Sequence, residues 1–121
     1  MTSPLHMDAD ELKAWRHHIH SHPELAFEER MTADFVAERL ASWGIEVHRG
    51  LARTGVVGRL KAGSSARSIG LRADMDALPM QEANDFAHAS RHPGRMHACG
   101  HDGHTVMLLA AARHLAQTRN F

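Results

Sequence analysis

The segment from Thr105 to Gln117 constrains this chain more than any other. Val106, Met107, Leu108, Leu109, Ala110, Ala111, Ala112 and Leu115 make it rich in Ala, Leu and Met. A helix apolar around most of its circumference has to be covered on more than one side, so the remaining residues must supply that cover. Asp8 followed by Glu11 predicts a capping-box-like helix start, with an acidic first turn favoured by the helix dipole. Leu12, Trp15 and Ile19 then recur at helical spacing through about His20, and Pro23 stops the helix because the residue before a proline is pushed out of the helical region. A second amphipathic pattern runs from Glu28 to Trp43, with Met31, Phe35, Val36, Leu40 and Trp43 on one side and Gly44 as C-terminal cap.

The pattern then changes period. Ile45–His48, Thr54–Leu60 and Ser68–Arg72 are strand candidates, with a turn at Gly63–Ser65. Met80 to Arg95 shows no clear period and reads as a long loop, of the kind that is usually functional or mobile. Helices followed by strands and another helix predict an α/β layered fold. Three short strands offer too little sheet to cover the last helix and leave an edge unpaired. The 121 residues are therefore expected to be part of a larger domain.

Composition narrows the function classes. Hydrophobic residues make up 43%, which excludes a disordered or fibrous chain. Fourteen Lys and Arg against 14 Asp and Glu leave a net charge of zero, so there is no electrostatic footprint for nucleic acid or an anionic membrane surface. No stretch approaches the 18 or so apolar residues of a membrane helix, and Met1 to Asp10 carries no apolar core of a secretory signal. The one cysteine, Cys99, cannot form an intrachain disulfide, which points to a reducing, cytoplasmic setting. Twelve histidines should make the charge climb steeply below about pH 6.5.

Three segments carry candidate chemistry. Met96-His97-Ala98-Cys99-Gly100-His101-Asp102-Gly103-His104-Thr105 gathers imidazoles, a thiol and a carboxylate at the mouth of the last helix, the donors that divalent metals such as zinc favour. In an extended segment His97, Cys99 and His101 would face one way, Gly100 and Gly103 would let the backbone turn, and Asp102 could orient an imidazole. A hydrogen-bonded polar loop and a cysteine nucleophile are the competing readings. Leu71-Arg72-Ala73-Asp74-Met75-Asp76-Ala77-Leu78-Pro79 is a strand ending in two carboxylates, where open α/β sheets place ligand-contacting groups. Like charges that close persist most readily beside a cation, the alternative being a solvated strand end with Asp74 paired to Arg72. His20-Ser21-His22-Pro23-Glu24-Leu25 reads more simply as a helix-terminating turn, and Trp15 and Trp43 as core.

Taken in order, His22-Pro23-Glu24-Leu25 with Phe27-Glu28-Glu29, the Leu71–Pro79 segment and the Met96–His104 segment resemble one family. It is the metal-dependent amidohydrolases that include hippurate hydrolase, N-acyl-amino-acid hydrolases and indole-acetyl-amino-acid hydrolases, within the aminoacylase and carboxypeptidase superfamily. The similarity runs from about Leu12 to Phe121. It implies a three-layer, zinc-peptidase-like α/β catalytic domain, of which residues 1–121 are the N-terminal portion: two helices, about three strands and one buried helix. It implies a site for two divalent ions (Zn, Mn, Co or Ni), only partly present here, that hydrolyses an amide bond in an N-acyl amino acid or related small molecule.

On that pattern Cys99 and His101 are metal ligands, and Asp76 is the catalytic strand-end carboxylate that orients a ligand imidazole. Asp74 sits where related branches carry a metal-ligating histidine, a duty taken over by Cys99, so Asp74 is not counted among the ligands. Paired metals would lower the pKa of a shared water and polarise the carbonyl, with a carboxylate moving the proton to the leaving amine. In the family the catalytic domain continues to a Glu-Glu pair, further ligand histidines and a lid-like dimerisation domain, and the complete protein is expected to be a homo-oligomer. Two protein donors do not close a zinc site, so this chain alone is expected to be inactive. A non-catalytic metal-binding fragment or truncated gene product is the rival expectation.

Overall fold

The computed structural model describes residues 7–121. The expectation of no secretory signal over Met1 to Asp10 therefore lies, for residues 1–6, outside the described residues. Three helices and one hairpin follow in the order α1 (Ala9–Ser21), α2 (Arg30–Ser42), β1 (Glu46–Leu51), β2 (Gly55–Arg59) and α3 (His101–Thr118). This is an α/β arrangement. Among the described residues no helix is long and apolar enough to cross a membrane.

The helix ends follow from named side chains. Asp8 Oδ1 accepts the N–H groups of Asp10 and Glu11 at 3.1 and 3.2 Å, satisfying two of the donors that the first turn leaves free. Glu11 does not complete the reciprocal box but pairs with Arg113 of α3. The start of α2 is capped from outside the helix: Glu24 Oε2 accepts from Met31 N–H at 2.9 Å, and Oε1 accepts from the N–H and hydroxyl of Thr32, both at 2.8 Å. Gly44, at φ +75°, closes α2 by donating to Ala41 O at 3.0 Å, as its position predicted.

Ile19 of α1, Phe35 and Leu40 of α2, Ile45, and Val106 and Leu109 of α3 form the buried core, with Trp15 and Trp43 packed against it. Burying each such side chain is worth about 1.5–3 kcal/mol. α1 packs on α3, and α2 lies against both the hairpin and α3. The hairpin is antiparallel, pairing Glu46 with Arg59 and Leu51 with Gly55, with its irregularity between Arg49 and Leu51.

Two elements depart from expectation. Ser68–Arg72 is not a strand: no other strand runs beside it among the described residues, and a strand exists only by pairing. Ile69 there is 85% exposed. The last helix begins at His101 rather than Thr105. Gly100, at φ +107°, ends the loop one residue before the helix. Gly103 is inside the first turn, where a Cβ would stand 3.2 Å from the Arg16 guanidinium carbon, so it serves close approach of α1 rather than a bend. One face of α3 is buried through Asp102, Thr105, Val106, Leu109 and Ala110, whereas Met107 is 68% exposed. The cover demanded by this helix is present on one side.

Candidate metal centre

The extended segment through Asp74 and Asp76 is fixed at three points. Thr105 Oγ1 of α3 donates to Asp74 O at 3.0 Å, Ala77 N–H donates to Glu24 O at 2.8 Å, and Leu78 and Met96 exchange backbone bonds at 2.9 and 3.0 Å. The first and last of these bring the carboxylate-bearing segment and the approach to α3 side by side. The His20–Leu25 segment ends α1 at Ser21, as its simpler reading of a helix-terminating turn held, and Glu24 caps α2 through its side chain and anchors the carboxylate segment through its carbonyl.

Asp74, Asp76 and His101 converge, each offering a ligand atom within 4.8 Å of the others. His101 Nδ1 lies 2.9 Å from Asp76 Oδ1 and 2.9 Å from Asp76 O. Both partners are acceptors, so Nδ1 carries the hydrogen and donates it. The lone pair is then on Nε2, which faces Asp74 Oδ2 at 3.9 Å. That distance is too long for a hydrogen bond. Two donors of a tetrahedral zinc, bonded at about 2.0–2.2 Å, stand about 3.4 Å apart, so a small inward shift of either side chain would let both reach one ion. The other Asp74 oxygen pairs with Arg72 at 2.6 Å, offsetting part of the negative charge. An imidazole with an oriented free lone pair beside two half-exposed carboxylates fits a divalent cation.

The residues singled out from the sequence do not all meet. His101 and Asp76 are brought together by a hydrogen bond. Cys99 is exposed and stands outside the cluster of three, whereas Asp74, set aside on the sequence, belongs to it. His97, Cys99 and His101 do not share a face, because His101 has entered the helix while His97 is buried toward α1. Asp102 orients an imidazole, but that of His20 at 2.9 Å, not a ligand imidazole. Glu82, a buried carboxylate of the long loop that also meets His20, was missed, and no local spacing marks it.

The chain is similar to known proteins. Residues 70–121 match the model of peptidase family M20/M25/M40. Hippurate hydrolase of Campylobacter jejuni is 53% identical over 111 residues, covering 92% of this chain and 29% of that protein. N-acyl-L-amino acid amidohydrolase of Geobacillus stearothermophilus is 53% identical over 116 residues, covering 92% and 31% respectively. Among solved structures, Bacillus subtilis YXEP, described as a dinuclear metal binding peptidase, superposes with a TM-score of 0.86 at 39% identity, over 91% of this chain and 31% of that one. The chain thus spans less than a third of the length of these relatives.

Proposed function

We propose that this chain, whose residues 70–121 match peptidase family M20/M25/M40, supplies the metal-holding portion of a catalytic domain that hydrolyses amide bonds in N-acyl amino acids. The substrate class follows the relatives' names, hippurate hydrolase and N-acyl-L-amino acid amidohydrolase. The observation that carries the reading is His101, its Nδ1–H held by Asp76 and its Nε2 free beside Asp74.

His101 and Asp74 would hold the ion, with the Cys99 thiolate as a further donor once its loop turns inward. Asp76 keeps the imidazole from rotating, as carboxylates behind ligand histidines do. A divalent ion (zinc, manganese, cobalt or nickel) supplies a water of lowered pKa and polarises the amide carbonyl. The general base and the remaining donors, a cytoplasmic setting and assembly into a homo-oligomer belong to the same proposal for the complete protein.

Calorimetric titration of the chain with Zn²⁺ or Co²⁺ tests it. Binding with proton release, lost in His101→Ala and weakened in Cys99→Ala, supports the site; no binding heat overturns it. Hydrolysis of N-benzoylglycine by the chain alone is expected to be undetectable, and robust turnover contradicts the assignment of the base to a longer chain.

A further inference from the structure

Behind the first turn of α3 lies a second cluster, formed around His20 in the last turn of α1. Its Nδ1 is 2.9 Å from Asp102 Oδ2, and its Nε2 is 3.2 and 3.1 Å from the two oxygens of Glu82. The side chains of both carboxylates are 2% exposed and that of His20 is 12% exposed. A neutral imidazole has one N–H and one lone pair, so it would turn that lone pair onto one of the carboxylates. Only the doubly protonated ring donates to both.

The carboxylates do not carry the shared protons. Burial works to raise Glu82, but hydrogen bonds from Asn84, His20 and the Ser90 N–H bring it below its ordinary value. Asp102 Oδ2 also accepts from the Arg16 guanidinium at 3.4 Å, a second cation that favours its ionised form. Burial disfavours the His20 cation, yet the hydrogen bonds and charges of Glu82 and Asp102 outweigh it and raise its pKa. The other ionisable groups facing this ring are Arg16 and His17 of α1, His88 of the loop, and His97 before α3. Burial keeps His97 below its ordinary pKa despite the Asp102 charge.

We infer that His20 is a positioning residue for the candidate metal centre: as an imidazolium it ties α1, the Met80–Arg95 loop and the first turn of α3 together, and so fixes where His101, next to Asp102 in the chain, stands. The inference rests on the metal-centre reading above, but the tie itself does not. A histidine whose folded pKa is raised contributes stability that is complete below the unfolded value of about 6.5. That contribution disappears as pH rises through the folded value.

Imidazole ¹⁵N spectra of the chain between about pH 6 and pH 9 read the charge directly. Both His20 nitrogens should be protonated at about pH 7, and a neutral single tautomer there overturns the inference. Co²⁺ affinity of the chain and of His20→Gln, which can donate to one carboxylate only, reads the positioning. The variant should bind about tenfold more weakly at neutral pH, and the ratio should close toward one as pH passes the His20 pKa. Because ligand protonation affects both proteins, it cancels in that ratio. Equal affinity at every pH in a folded variant overturns positioning. If His20→Gln does not fold, His20→Arg, which keeps charge and two-sided donation, should retain affinity without the closing ratio; a tenfold loss there counts against the inference. Should the parent chain bind no Co²⁺, the metal reading fails, and the amide signals of residues 101–105 decide the tie: displaced in the variant they support it, unmoved they overturn it.

Discussion

Two histidines in this molecule each stand between two carboxylates, and they have been given opposite tasks. His20 has both ring nitrogens within hydrogen-bond distance of carboxylates sealed from solvent. His101 has one nitrogen bonded to Asp76 and the other 3.9 Å from Asp74, with carboxylates 32% and 38% exposed. The ingredients match; closure differs. A cluster whose central cation is hydrogen-bonded on both sides to sealed carboxylates holds elements together, even with Asp102 Oδ1 left without a partner, and removing that cation leaves uncompensated buried charge. A cluster with a spare, aimed lone pair is left able to bind. The closed cluster should therefore govern stability and the open one affinity.

The largest effect expected from that contrast is in His20→Ala, which leaves the buried Glu82 and Asp102 carboxylates without the cation between them. Urea unfolding should show a loss of roughly 3–5 kcal/mol, while Asp74→Ala should move stability by no more than about 1 kcal/mol. Similar losses in the two variants would erase the distinction. Glu24 is a buried carboxylate with no histidine, and its removal separates capping from charge pairing. Glu24→Ala should destabilise by about 2–3 kcal/mol, because hydrogen bonds to charged acceptors are worth about 1.5–3 kcal/mol. Asp76→Ala should leave the unfolding midpoint nearly unchanged and lower Co²⁺ affinity by roughly 10–100-fold, as loss of a carboxylate behind a ligand imidazole does. An unfolding defect without an affinity defect would place Asp76 with the closed cluster. The smallest effect belongs to Arg72→Ala: below about 1 kcal/mol and fading with added salt, since the Arg72 side chain is largely exposed.

What the sequence made legible was local. The cap at Asp8, the stop before Pro23, the left-handed Gly44 and the apolar core positions of α1 and α2 all depend on residues a few positions apart, and they stand where the pattern put them except for Met31, which is exposed. The start of α3 was misplaced because two glycines beside histidines look like a loop. One of them, Gly103, answers instead to Arg16 from another helix. Ser68–Arg72 was a strand candidate, but pairing depends on a neighbour that the local pattern does not contain. In the site, Asp76 and His101 were singled out through the resemblance, and the fold brings the two together. The His20 cluster was not, because Glu82 and Asp102 lie 62 and 82 residues from His20 in sequence. Only the fold makes them neighbours.

The most direct test of the central claim is anomalous diffraction from crystals of the chain soaked in zinc. A peak bonded to His101 Nε2 and an Asp74 carboxylate oxygen, with Asp76 still hydrogen-bonded to Nδ1, is the predicted result. A well-ordered ring there with no peak, or a zinc ion held elsewhere while His101 keeps both nitrogens hydrogen-bonded within the protein, would contradict it.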